Sequence, residues 1–217
     1  MNGLTTVGTL KRLFLGKTFP LTCLSGGVLL IIASDRFAHA IIVSGALAWV
    51  YCLITLTLFF AEKYLPMQGR STLLAFLSSF FAGIYFILIW MISPFTALQV
   101  FFVIPLIPIF CVSSGLFTPF NKTGLAESVR TSVTEALTYG ILIAIFALIR
   151  EPFGFSSLSV PGGAQGIILL FSFDESQSFL PIRIITSSSG AFLLLGYIAG
   201  LYRHYKANHA PEEENDG

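Results

Sequence analysis

Phe37-Ala38-His39-Ala40-Ile41-Ile42-Val43-Ser44-Gly45-Ala46-Leu47-Ala48-Trp49-Val50-Tyr51-Cys52-Leu53-Ile54-Thr55-Leu56-Thr57-Leu58-Phe59-Phe60 contains no Asp, Glu, Lys or Arg. A helix needs about 20 such residues to cross the roughly 30 Å hydrocarbon layer of a bilayer, and this run exceeds that length. Composition extends the reading to the whole chain. Of 217 residues, 55% are hydrophobic and 11% charged, with a mean hydropathy of +0.84, whereas soluble chains carry about 25% charged residues. Too few polar side chains remain to cover a water-soluble surface. A net charge of +1 leaves no basic patch to neutralise a phosphate backbone, so nucleic acid is excluded as a partner. Membrane lipid is the surrounding solvent.

Working outward from that run, the sequence predicts an all-α membrane protein of six transmembrane helices, near 19–34, 37–60, 73–92, 95–117, 134–149 and 183–202. Each is bounded by charged or turn-forming residues. The first follows Lys11, Arg12 and Lys17 and precedes Ala38-His39-Ala40, which raises a cleaved signal peptide as an alternative. Retention is favoured, because cleavage would cut a short connection between two helices. With the N-terminus inside, nine of the 12 basic residues are cytoplasmic: Lys11, Arg12, Lys17, Lys63, Arg70, Lys122, Arg130, Arg203 and Lys206. Arg36, Arg150 and Arg183 fall outside, so the positive-inside bias places both termini in the cytoplasm. Residues 1–202 form a single membrane domain, and the polar residues 203–217 are expected to be a disordered cytoplasmic tail. Between Arg150 and Ile182, the apolar run Gly166 to Phe173 is too short to span. It is read as an interfacial helix, a re-entrant piece or a docking surface.

Pro20-Leu21-Thr22-Cys23-Leu24-Ser25 and Pro108-Ile109-Phe110-Cys111-Val112-Ser113 share a Pro-x-x-Cys-apolar-Ser pattern in the first and fourth predicted helices. Three crossings separate the copies, so the second enters from the opposite face and the halves form an inverted repeat of three plus three. Proline removes a backbone donor, and both helices are candidates for a break at membrane depth. Thiolates brought together in this way suit an iron-sulfur cluster or a soft metal, and a cluster usually takes four. Cys23 and Cys111 are therefore candidate ligands, two from this chain and the rest from a partner. Buried Cys is also a common packing residue, and Cys52, without a repeat partner, is read that way.

Ala147-Leu148-Ile149-Arg150-Glu151-Pro152-Phe153-Gly154-Phe155-Ser156 resembles the Arg-Glu turn after the fifth helix of the small six-helix membrane subunits of the Rnf and Nqr respiratory complexes, the RnfA/RnfE and NqrD/NqrE type. Tyr139-Gly140 and Gly190-Ala191-Phe192-Leu193-Leu194-Leu195-Gly196 are similar to further family segments, so the resemblance covers Thr118 to Tyr202. Pro105-Leu106-Ile107-Pro108-Ile109-Phe110-Cys111 resembles the family's Pro-Leu-Ile-x-Thr-Asn-Cys, which puts Cys111 on a ligand cysteine. Two departures stand out. Phe19 occupies the position of the family's first ligand, with Cys23 four residues on and one turn away on the same face, and Ile109-Phe110 replaces the Thr-Asn pair. The resemblance implies a bacterial inner-membrane protein of an ion-coupled electron-transport complex. It implies a homologous six-helix subunit and further subunits as partners, and a [2Fe-2S] cluster shared with the homologous one. A structural paralogue without a cofactor, and a substrate-binding component of an importer, are the alternatives. The importer reading expects a small-residue face such as Ala-x-x-x-Ala on the first helix, and residues 19–34 have none.

Among the remaining marked residues, Arg150 and Glu151 read as an interfacial charge pair or a subunit contact. Ser132-Val133-Thr134-Glu135 fits a capping box, and Gly196-Tyr197-Ile198-Ala199-Gly200 a close helix contact. No Asp or Glu lies in the middle of a predicted span, which argues against a stand-alone carrier. His39, His204 and His209 have no nucleophile constellation beside them, so the chain is not expected to be catalytic alone.

Overall fold

The computed structural model describes residues 19–61, 70–113, 125–163, 166–172 and 183–208. In chain order the elements are α1 (Phe19–Ala33), α2 (Phe37–Ala61), α3 (Arg70–Ile92), α4 (Pro94–Val100), α5 (Leu106–Ser113), α6 (Leu125–Phe155), β1 (Ser157–Pro161), β2 (Ile167–Ser172), α7 (Arg183–Thr186) and α8 (Ser188–Asn208). Three helical stretches, Phe37–Ala61, Thr72–Ile92 and Leu125–Phe155, are long and apolar enough to cross a membrane. The other predicted spans fall on α1, on α4 with α5, and on α7 with α8.

α2 and α6 form the central antiparallel pair, tied by polar rungs along its length. Phe37 N donates to Glu151 Oε2 at 2.7 Å, Ser44 Oγ to Gly140 O at 3.1 Å, and Thr55 Oγ1 to Ser132 Oγ at 2.8 Å. The backbones come closest at Gly140, where a Cβ would lie 2.8 Å from that of Ser44. Only glycine fits there, a small-residue contact of the kind that lets membrane helices pack tightly. Around this pair, α1 and α5 close a core that includes Leu29, Leu47, Val50, Ile54, Ile107 and Ile143. α3 is peripheral, with 17% of its apolar window buried against 44% for α2 and α6. The outward faces are apolar as well, with Met91 77% and Phe102 79% exposed, a distribution that suits lipid better than water.

The two expected helix breaks part company. α1 runs unbroken from Phe19 through Gly26 and Gly27, because Pro20 occupies the first turn, where its missing N–H would have had no intrahelical acceptor. The fourth segment does break, between Val100 and Leu106. Pro105 and Pro108 would each delete a donor from a single continuous helix over 94–113, and the chain crosses the gap on tighter bonds, Val103 N to Val100 O, Leu106 N to Val103 O and Ile107 N to Ile104 O.

Four expectations are corrected. Within a mostly helical fold, the short apolar run after Gly166 is neither an interfacial helix nor a re-entrant piece but β2, which pairs antiparallel with β1 from Pro161↔Ile167 to Ser157↔Ser172. Gly163 (φ 61°) and Gly166 (φ 84°) supply the left-handed backbone of its turn, which closes through Gly162 N to Gly166 O. Ser132 and Glu135 are no capping box, since α6 starts at Leu125 and runs through them. Thr131, Thr134 and Thr138 each turn a hydroxyl back to the carbonyl four residues earlier, so the polar turns stay helical. The Gly196 and Gly200 pair makes no close contact among the described residues, for a Cβ at either would meet nothing within 4 Å. Finally, α8 continues to Asn208, past the expected start of the tail. Residues 209–217 lie outside the described residues.

Candidate functional site

α5 carries Phe110 and Cys111 into the centre of the bundle. Phe110 stacks on Tyr139 of α6, ring centroids 4.5 Å apart and 22° from parallel. The Tyr139 hydroxyl in turn donates to the carbonyl of Gly26 on α1. A Cβ on Gly26 would stand 3.1 Å from that hydroxyl and 3.3 Å from the Phe110 ring, so the glycine is what lets α1, α5 and α6 meet at one point. This explains Phe110 where the resembled family has a polar residue: here the position is an aromatic wedge.

Cys111 lies next to this wedge, 1% exposed, with its thiol hydrogen-bonded to Tyr51 of α2. Cys23 sits on α1 three residues before Gly26, and α1 packs directly against α5. The helices bearing the two candidate ligands are thus brought side by side; the Cys23 side chain lies outside the described residues. Cys52 is half-buried on α2. Among the described residues no group of three His, Cys, Asp or Glu is arranged to hold a metal. A [2Fe-2S] cluster takes four thiolates, and the thiols of the described residues are Cys52 and Cys111, the second enclosed by its own chain and engaged by Tyr51. The neighbouring helices suit such a group better than the enclosed thiol does.

A second constellation lies where α1 turns into α2 through Ser34, Asp35 and Arg36. Arg150 and Glu151 are 2% and 0% exposed, and they serve different helices rather than forming the expected interfacial pair. Arg150 Nη1 donates to Ile31 O at 2.8 Å, at the C-terminus of α1, and its Nε to Ile185 O of α7 at 2.9 Å. Asp35 stands 3.8 Å from Nη2, but is 44% exposed and adds little. Glu151 accepts the first amide of α2. A cation thus meets the negative end of one helix dipole and an anion the positive end of the next, and two successive residues pin the α1–α2 turn to α6.

Beside this clamp, His39 Nε2 lies 3.3 Å from Gln99 Oε1, linking α2 to α4, with Asp35, Arg36 and Glu151 near enough to act on the ring electrostatically. The guanidinium of Arg36 lies 5.5 Å above the Phe155 ring. Sequence reasoning missed Tyr51 and Gln99, and it marked Tyr139 only within the Tyr139-Gly140 segment, without a contact. Their only signal was a polar group inside an apolar run, which does not say which helix it faces.

Comparison with protein-family models gives no match to this chain, and comparison with curated proteins gives none either.

Proposed function

We propose that the chain is a membrane subunit of an ion-coupled electron-transport complex of the Rnf and Nqr type, lying in the bacterial inner membrane with both termini cytoplasmic. One observation carries the reading: α5, which bears Cys111 and follows a proline break, packs against α1, which bears Cys23. Supporting it, α1 touches α6 and α8 while α5 touches α2 and α3, the pairs of contacts that an inverted repeat of three plus three would relate. In this proposal Cys23 and Cys111 supply half of a [2Fe-2S] cluster, and a homologous six-helix subunit the other half. When bound, such a cluster would pass single electrons across the bilayer. The role of this chain is to hold two thiols at a fixed separation in a dry core, through the Gly26, Phe110 and Tyr139 contact.

The enclosure of Cys111 and its bond to Tyr51 favour one second reading, a structural paralogue that fills the same place in a complex without a cofactor. Extraction of the chain with its membrane partners, followed by iron analysis and electron paramagnetic resonance, separates the two. Iron with a [2Fe-2S] signal supports the electron carrier, and an iron-free assembly supports the paralogue. Recovery only as a monomer, under extraction mild enough to keep complexes whole, overturns both.

A further inference from the structure

Outer strands of natural sheets are usually protected, because an unpaired row of N–H and C=O groups invites another strand. Among the described residues β1 and β2 form a sheet of two strands. β1 rests against α2 and α6, which leaves β2 as the free side of the hairpin. Ile168 and Leu169, successive along β2, are 41% and 56% exposed, and successive strand residues point to opposite faces. Both faces of the strand are therefore open. Leu170, which the bulge leaves without a partner on β1, is 62% exposed. No Asp, Glu, Lys or Arg occurs from Pro152 to Phe173, so the edge lacks the charges that commonly guard one.

Neither solvent suits such a strand. Water would meet three consecutive large apolar side chains. Lipid would leave the outward N–H and C=O groups without partners, a cost that keeps open sheet edges out of the hydrocarbon layer. An added strand removes both penalties, since it supplies backbone partners and covers side chains at once.

We propose that β2 pairs antiparallel with β2 of a second copy of this chain, joining two hairpins into one four-stranded sheet and two chains into a dimer. The strand is its own complement. An antiparallel pair of identical strands is isologous, related by a two-fold axis, so the contact closes at two chains. β2 carries no charge, and its copy therefore brings no like-charge repulsion across the pair. Two strands alone are marginally stable, whereas a sheet of three or more with an apolar face is not. The bulge confines regular pairing to Ile167–Leu169, and the contact is expected there. This association goes beyond the electron-transport reading and depends on no thiol, so it stands whether or not the chain carries electrons.

Oxidative cross-linking in membranes that hold two differently tagged copies of the full chain tests it. Ile167→Cys, Ile168→Cys and Leu169→Cys are introduced one at a time, with the unmodified chain as baseline and Ile92→Cys, 62% exposed at the end of α3, as the control. The expected result is a reductant-sensitive dimer containing both tags for at least one of the three strand positions, and none above baseline for the control. Leu169→Lys, which places a charge on an exposed position, should lower co-purification of the two tagged copies several-fold while helical circular dichroism is retained. No dimer at any strand position overturns the proposal, as does a dimer formed equally at Ile92→Cys. So does co-purification undiminished in Leu169→Lys, or an adduct that contains a different protein in place of the second tag, the mark of an edge built for another chain.

Discussion

The carboxylate of Glu151 accepts the amide proton of Phe37 at 2.7 Å across 114 positions of sequence, and this one bond joins the end of α6 to the beginning of α2. Replacing it with Glu151→Ala removes the helix cap. The expected loss is about 0.5–2 kcal/mol relative to Glu151→Gln, the usual range for an N-cap. Denaturant or thermal unfolding of both variants in the same detergent measures the difference, and equal stabilities would sink the capping role.

Arg150 holds carbonyls from two elements at once, Ile31 O and Ile185 O. Arg150→Met should cost about 1–3 kcal/mol for each buried carbonyl left without a donor. Arg150→Lys should recover only part of that, since an ammonium lacks the planar fork that reaches both. Full recovery by lysine would show that charge alone, and not the fork, secures the α1–α2 turn.

Gly140 and Ser44 are the closest approach of the central pair. Gly140→Ala puts a methyl where the Ser44 Cβ already stands, and overpacking of this kind costs about 1–3 kcal/mol. Ser44→Gly in the same chain should restore much of the loss, a coupling that a double-mutant cycle reads directly. Additive effects would mean that the two backbones are not in contact.

For the thiols, Cys23→Ser and Cys111→Ser should each remove membrane-bound iron, while Cys52→Ser should not. If Cys111→Ser alone removes it, Cys23 is a packing residue. If neither does, the electron carrier gives way to the structural paralogue.

Reporter fusions at Gly217 and within residues 156–165 should report opposite sides of the membrane, the first cytoplasmic. An external C-terminus contradicts the positive-inside assignment.

The positions of the long helices were legible in the residues, because an uncharged run longer than a bilayer is thick has one stable solution, a helix that bonds its own backbone. The break before α5 was legible for a similar local reason, since Pro105 and Pro108 delete donors wherever the helix lies. The same logic misled at Pro20, because a proline in a first turn costs nothing and sequence alone blurs where the turn begins. It misled again at Ser132 to Glu135, where Thr131, Thr134 and Thr138 satisfy their own hydroxyls and let α6 start earlier. Which helix each polar residue serves was decided only by the tertiary structure. Arg150 and Glu151 are neighbours of opposite charge, and a pair closing one helix was the natural reading; the fold instead sends one to the end of α1 and the other to the start of α2. Pairing of that kind depends on which helix ends the packing of α2 against α6 brings together. That packing turns on the absence of a single Cβ at Gly140 and on contacts between residues about a hundred positions apart, which no local pattern records.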